Sequence, residues 1–276
     1  MSRVVTFRPK GDHIHLNYDV ELSYDDYGSG EPVLLVHGHP FDRSMWQPQI
    51  GELVESGRRI VVPDLRGYGQ TEVRPGVTTL SDFADDIISL LGFLGIDRTA
   101  MVGLSMGGQI VMDLAARFAE RITMVVLVST SPDAESSHGR RVRMETADHL
   151  VREGMTSYTE TNISRMVCPA TTAQRPDIVD HVRKMMLEAP PSGAAAALRG
   201  RALRREYVST LEALEIPALI VVGRDDEFTP VANAQRMHRS VADSELVVID
   251  DAGHLPNLER PDIFNSALMT FLDGRA

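Results

Sequence analysis

A serine stands between small residues in the sequence Gly103-Leu104-Ser105-Met106-Gly107. The apolar run 100–102 before it predicts a strand, and residues 109–116 after it have the pattern of a helix. A turn that joins strand to helix this sharply leaves almost no room for side chains two residues before and after the serine, and glycine fills both positions. The pattern indicates a nucleophilic serine, although a glycine-rich turn without chemical importance would give the same residues.

A nucleophilic serine needs two partners, a base that removes its proton and an acid that holds the tautomer of the base. Residues 225–227, which are Asp, Asp and Glu, follow the apolar run 218–222, and His254 follows the run 246–249. Both loops are predicted to leave the sheet at the carboxyl ends of strands, where ligands bind in open α/β folds. The chain order serine, acid, histidine is the one found in this class of fold.

Strand and helix patterns alternate along most of the chain. An alternating segment at residues 13–24 predicts an antiparallel pair, and a helix with Thr79 and Asp82 as its capping box is predicted from Leu80. A second clear helical pattern begins at Asp262. The predicted buried strands are the apolar runs 33–36, 60–62, 100–102, 124–128, 218–222 and 246–249. Such alternation implies a doubly wound α/β sheet.

One long segment interrupts this alternation. Residues 132–207 contain no strand-like run, only helical patterns rich in arginine, methionine and alanine. Because this length exceeds that of an ordinary connection between strands, we predict an inserted helical cap at 132–207 and a core made of 1–131 and 208–276.

Composition limits the classes of function. The 276 residues are 43% hydrophobic, which is enough for a large core, and the net charge of −11 argues against a nucleic-acid partner. No apolar run could span a membrane and the N-terminal residues lack the apolar core of a signal peptide, so we expect a cytoplasmic protein without a membrane partner. Cys168 is the only cysteine, and Asp250 and Asp251 near His254 lack the spacing of a zinc motif. We therefore expect no metal and no cofactor.

Several segments together resemble the α/β-hydrolase superfamily, and within it the branch of esterases, 3-oxoadipate enol-lactonases and cofactor-free haloperoxidases. The segments are His37-Gly38-His39-Pro40, Asp64-Leu65-Arg66-Gly67-Tyr68-Gly69, 103–108, 223–230 and 253–261. The resemblance implies the α/β-hydrolase fold, a mostly parallel eight-stranded sheet with helices on both faces and an inserted helical cap.

The resemblance also implies roles for individual residues. Ser105 matches the family's nucleophile and His254 its general base. The family places the acid three residues after a glycine and four before a proline, which selects Asp226 among the acids at 225–227. Asp225 is the runner-up, and Asp133 is a third candidate because some relatives carry the acid there.

Two main-chain N–H groups are implied as the oxyanion hole, which stabilises the charge that forms when serine attacks a carbonyl. They belong to Met106 and His39. The imidazole of His39 departs from the aromatic or aliphatic side chain that is commoner at this position, and it either contacts substrate or fills space. Trp46 is a candidate for the pocket wall and equally for the core.

We therefore expect a serine hydrolase that cleaves a carboxylic ester or lactone through an acyl-enzyme intermediate. Carbon–carbon bond hydrolysis and cofactor-free perhydrolase or haloperoxidase chemistry use the same three residues and stay open, as does a non-catalytic small-molecule binding protein. Arginines of the cap, among them Arg140 and Arg143, suggest a small anionic substrate because guanidinium groups bind carboxylates through charge-assisted bonds. We expect a monomer or a homodimer.

Overall fold

A computed structural model describes residues 2–6 and 20–275. Its strands form one mixed sheet in the spatial order β1-β2-β4-β3-β5-β6-β7-β8. Both pairings of β2 are antiparallel, and the other neighbours are parallel. The strands are β1 (Ser2–Thr6), β2 (Glu21–Gly28), β3 (Pro32–Val36), β4 (Arg59–Pro63), β5 (Thr99–Leu104), β6 (Ile122–Val128), β7 (Ala218–Gly223) and β8 (Ser244–Ile249). The prediction of a mostly parallel eight-stranded sheet is confirmed.

The antiparallel pair predicted over residues 13–24 can be followed only in part. Residues 13–19 lie outside the described residues, and the later half of the pattern begins β2. The antiparallel partner that the structure gives to β2 on this side is β1, in the register Val4 to Ser23.

The α-helices found in the described part of the chain lie on both faces of the sheet and in one long helical segment. They are α1 (Gln47–Glu55), α2 (Leu80–Phe93), α3 (Met106–Arg117), α4 (Ser137–Glu153), α5 (Thr156–Met166), α6 (Pro169–Gln174), α7 (Pro176–Glu188), α8 (Pro191–Ala202), α9 (Val208–Glu212), α10 (Val231–Ser240), α11 (Pro256–Glu259) and α12 (Pro261–Gly274). The predicted capping box at the start of α2 is present, with Thr79 and Asp82 bonding each other's main chain.

Burial on both faces explains why the central strands are continuous apolar runs. In β3, Leu34 and Val36 belong to a core shared with α2, α3 and α10, whereas Val33 and Leu35 belong to a second core shared with α1 and α12. Successive side chains of a strand point to opposite faces, so a strand covered on both faces needs an apolar residue at every position.

Residues 129–217, all of which the structure describes, contain helices α4–α9 and no strand. Within this segment α4 packs along α8. The segment is tied to the sheet's loops, because Thr78 N–H donates to Ala196 O at 3.0 Å and His254 N–H donates to Met166 O at 3.2 Å. Helix α5 therefore contacts the loop that carries His254, and α8 contacts the loop that precedes α2. Among the described residues, no helix combines the length and apolar character that a membrane crossing needs.

Candidate active site

Ser105 lies at the junction of β5 and α3 with a positive φ of 56°, an unusual backbone conformation for a residue with a side chain. Three hydrogen bonds hold this turn: Ser105 N–H donates to Val128 O at 2.8 Å, and Ser105 O accepts from Gln109 N–H at 3.1 Å and from Thr130 Oγ1–H at 2.7 Å. The surrounding strand and helix thus impose the conformation, as is common where backbone strain serves a functional site.

The structure explains both glycines of the serine turn. A Cβ added to Gly103 would lie 2.4 Å from the carbonyl oxygen of Gly107, and one added to Gly107 would lie 2.2 Å from Val36 O. Only glycine allows β5, α3 and β3 to approach this closely.

Asp226 and His254 form a buried pair on the loops that follow β7 and β8. The Nδ1 atom of His254 lies 3.0 Å from each carboxylate oxygen of Asp226. The same carboxylate accepts bonds from the N–H groups of Phe228 and Thr229, both at 2.9 Å, and from the Thr229 hydroxyl at 2.6 Å. Because Nδ1 faces the carboxylate, Nε2 is the ring nitrogen left to exchange a proton with another group.

The electrostatics of the pair favour an ionised carboxylate. Burial alone would raise the pKa of Asp226, but the adjacent His254 and the bonds from Thr229 outweigh it and leave the pKa below its ordinary value. Asp226 therefore stays negative at neutral pH and can hold the Nδ1–H tautomer of His254.

The other candidate acids have different surroundings. Asp225 is exposed, Glu227 is exposed and pairs with Arg165 at 3.1 Å, and Asp133 pairs with Arg236. Of the acids considered from the sequence, Asp226 is the one whose carboxylate contacts His254. No group of three His, Cys, Asp or Glu side chains in the described part of the chain is arranged to hold a metal ion.

The loop after β3 runs directly beside Ser105. A Cβ added to Gly38 would lie 3.3 Å from the Cβ of Ser105. His37 anchors this loop, since its Nδ1–H donates to Gly38 O at 2.8 Å and its Nε2 accepts from Leu65 N–H at 2.9 Å. The predicted oxyanion donors thus lie on two elements that meet at the serine, His39 in this loop and Met106 at the N-terminus of α3. A helix N-terminus also favours negative charge.

The imidazole of His39 is buried beside two tyrosines. Its Nδ1 lies 2.7 Å from the Tyr68 hydroxyl, and its ring meets the ring of Tyr158 edge-on at 5.9 Å. Burial, with added repulsion from the cations of Arg201 and Arg143, lowers the pKa of His39 well below its ordinary value. The ring is therefore neutral, and its Nε2 is buried without a hydrogen-bond partner among the described residues.

The three side chains predicted to bind substrate have different environments. Trp46 is completely buried in the core on the α1 and α12 face, where it packs against Phe264 at 6.3 Å. Arg140 is exposed on α4 and donates to the main chain of Glu135. Arg143 is partly buried and pairs with the side chain of Glu135.

A cleft of about 590 Å³ opens between the helical segment and the loop of Asp226. Arg143, Tyr158 and Leu198 line it from the helical side, and Phe228 lines it from the acid loop. The ring of Phe228 lies 5.1 Å from the ring of His254. The cleft therefore reaches the neighbourhood of the catalytic candidates.

Glu259 is a residue whose importance the sequence patterns did not indicate. It is buried, and its carboxylate accepts bonds from the N–H groups of Gly253 at 2.8 Å and Leu255 at 3.1 Å, the residues on either side of His254. It also accepts from Cys168 N–H and Thr171 Oγ1–H, at 2.7 and 2.9 Å, at the start of α6. The feature of the sequence that could have indicated this role is its position five residues after His254, at the end of the short helix α11. Glu259 fixes the histidine loop to the helical segment.

Comparisons with known proteins agree with this fold. A family model described as alpha/beta hydrolase fold matches residues 31–261, so the chain belongs to the α/β-hydrolase family. A solved structure of a thermophilic esterase from Thermogutta terrifontis, with malate bound, superposes with a TM-score of 0.94 at 36% identity and covers 99% of this chain and 98% of that one.

Two curated relatives represent the other activities of the branch. The chain is 28% identical to 3-oxoadipate enol-lactonase 2 of Acinetobacter baylyi over 91% of its own length and 92% of that protein. It is 27% identical to a non-heme haloperoxidase of Rhodococcus erythropolis over 92% and 96% of the two proteins. The predicted resemblance to the esterase, enol-lactonase and haloperoxidase branch is confirmed, and the chain is an enzyme of the α/β-hydrolase family.

Proposed function

We propose that this enzyme is a serine hydrolase that cleaves a carboxylic ester or a lactone through an acyl-enzyme intermediate. The observation that carries the proposal is the buried, hydrogen-bonded pair of His254 and Asp226, on loops at the same edge of the sheet as the constrained turn of Ser105. A histidine that is held in one tautomer by an ionised carboxylate is the arrangement that activates a serine hydroxyl.

In the proposed reaction Ser105 Oγ attacks the carbonyl carbon while Nε2 of His254 takes its proton. The resulting imidazolium is stabilised by Asp226, and the oxyanion accepts bonds from the N–H groups of His39 and Met106. His254 then gives the proton to the leaving oxygen. Water repeats the sequence on the acyl-enzyme, with His254 again as base, and releases the acid. Each oxyanion donor contributes roughly 3 to 4 kcal/mol to the barrier reduction.

We also propose that residues 132–207 act as the cap that selects the substrate. Support comes from the cleft between α4, α5 and Phe228 and from the contacts of the helical segment with the loop of His254. The named activities of the Acinetobacter relative and the Thermogutta esterase support an ester or lactone bond, and the malate bound to the latter supports a small acid as the acyl product.

A second candidate is cofactor-free perhydrolysis, which the Rhodococcus relative's name favours. In that reaction peroxide, instead of water, would attack the acyl-enzyme and release a peracid. Acetate- and peroxide-dependent bromination of monochlorodimedone, at a rate exceeding that of ester hydrolysis, would favour this second candidate.

The proposal is tested with a fluorophosphonate probe and a panel of esters and lactones. Peptide mapping should find the adduct on Ser105, and Ser105→Ala should lose both the adduct and turnover. If the wild type gives no adduct and hydrolyses activated esters no faster than Ser105→Ala does, the proposed function is wrong.

A further inference from the structure

Arg201, on α8, is a buried cation. The residue is only 8% exposed, and its Nε–H donates to a neutral group, Gln109 Oε1, at 3.2 Å. Within residues 20–275 it forms no ion pair with a carboxylate. A buried charge without an opposite charge is costly, and natural proteins keep one mainly where it serves a function.

Neighbouring charges increase this cost. Arg143 and Arg204 also act on Arg201, and these two arginines share the carboxylate of Glu135. The three guanidinium groups of this cluster thus share one directly paired carboxylate, that of Glu135, and the carboxylate of Asp133, which pairs with none of them, also attracts Arg204. An anion that entered the cluster would relieve this excess of positive charge.

The uncharged groups around Arg201 are hydrogen-bonding groups suited to an anion. Arg201 is close enough to influence His39, Tyr68 and Tyr158 electrostatically. If the Tyr68 hydroxyl donates to Nδ1 of the neutral His39, Nε2 carries the hydrogen and is a buried donor without a partner. The Tyr158 ring lies beside this imidazole and lines the cleft.

The cluster borders the nucleophile on two sides. Gln109, which Arg201 contacts, is four residues after Ser105 and therefore on the same face of α3, and its N–H donates to Ser105 O. His39 follows Gly38, which lies against the Cβ of Ser105. A ligand held by Arg201 and His39 would lie beside the serine.

We propose that Arg201, His39 and Tyr158 form a carboxylate-binding subsite, so that the preferred substrate is an ester or lactone that carries a free carboxylate near the bond to be cleaved. The inference rests on the proposed function, since it concerns the substrate of the same site. Arg201 supplies the charge, and the imidazole N–H and the phenol supply directional donors to the carboxylate oxygens.

The test compares two substrates of equal size, monomethyl glutarate and methyl 4-carbamoylbutanoate, which differ only in carboxylate against amide. The wild type should have a kcat/KM for the carboxylate ester at least tenfold above that for the amide. Arg201→Met should bring this ratio close to one, a loss of roughly tenfold or more, as expected when a hydrogen bond to a charged group is removed. Arg201→Lys should keep part of it.

Arg199→Met is the matched control, because it removes a positive charge from the same helix at a residue that pairs with Asp148. It should leave the ratio unchanged. Glutarate binding to Ser105→Ala, measured by calorimetry, provides a readout without catalysis, and the added substitution Arg201→Met should abolish it.

The outcomes separate the two proposals. If the wild type hydrolyses both esters equally and Ser105→Ala does not bind glutarate, the subsite is refuted while the serine hydrolase stands. If Arg199→Met reduces the ratio as much as Arg201→Met does, the effect is one of general charge and the subsite is also refuted. If neither ester is cleaved and no fluorophosphonate adduct forms, the proposed function itself fails, whatever glutarate does.

Discussion

Replacing Asp226 with asparagine tests the proposed chemistry most directly, because the side chain keeps its size and loses only charge and acceptor capacity. Every contact that the structure gives to this carboxylate comes from a donor or from the ring nitrogen of His254. We expect kcat for an activated ester to fall about 10⁴-fold, which corresponds to roughly 5 kcal/mol of lost transition-state stabilisation.

The geometry determines how the asparagine would bind. Its oxygen must occupy the Oδ1 position, since two main-chain N–H groups, those of Phe228 and Thr229, donate there. The amide NH2 then faces the Thr229 hydroxyl and Nδ1 of His254. An NH2 group favours the tautomer in which Nδ1 accepts and Nε2 carries the hydrogen. That tautomer cannot take the proton of Ser105, and the imidazolium would also lack a counter-charge.

Asp225→Asn is the matched control, as the adjacent residue is exposed and should lose less than twofold in kcat. Stopped-flow or steady-state hydrolysis of p-nitrophenyl acetate measures the loss, and the thermal midpoint shows whether Asp226→Asn still folds. A folded Asp226→Asn variant with nearly wild-type turnover, or an equal loss in Asp225→Asn, would refute the assignment.

Three further predictions follow from buried groups near the site. In Glu259→Gln the new NH2 group faces two donors from the start of α6, so the thermal midpoint should fall by about 2 to 8 °C. The value of kcat should fall as well, because Glu259 holds the residues on either side of His254. An unchanged midpoint in calorimetry would contradict this. His39 has a lowered pKa, so below about pH 6.5 the unfolded chain binds a proton that the folded chain does not, and stability falls by up to about 1.4 kcal/mol per pH unit. In denaturant titrations from pH 7 to 5, the free energy of unfolding of His39→Phe should fall less than that of the wild type. If it falls equally in both proteins, the neutral state of the His39 imidazole is refuted. Gly107→Ala should prevent normal folding, because its Cβ would lie 2.2 Å from a main-chain oxygen, whereas Gly51→Ala, in an open position on α1, should raise the midpoint slightly in the same assay.

Structural features that depend on residues close together in the chain were predicted well from the sequence. The capping box of α2 is set by Thr79 and Asp82, three residues apart, and the central strands are marked by burial on both faces. The spacing that selected Asp226 also lies within one loop, and the residue it selects is the acid whose carboxylate contacts His254. The carboxylate that lies three residues after Gly223 is turned inward and accepts bonds from its own loop, while Asp225 is turned to solvent.

Properties that depend on how distant segments meet could not be predicted. The role of Glu259 depends on the contact between the start of α6 and the loop of His254, which are far apart in the chain. Trp46 could have belonged to the core or the pocket until the packing of α1 against α12 was known, and the structure gives it a completely buried position in the core.

The arginines of the helical segment show the same limit of sequence-based prediction, and they bear on the identity of the substrate. The arginines of the helical segment suggested an anionic ligand, but several of them already contact a local carboxylate. Arg143 and Arg204 share Glu135, and Arg199 pairs with Asp148. A count of charges is therefore weak evidence for what the cleft binds. Arg201 is stronger evidence, because desolvation and the neighbouring guanidinium groups lower its pKa and so make its charged form costly in the ligand-free enzyme. Differential binding of a carboxylate would recover that cost, whereas binding of a neutral ester would not.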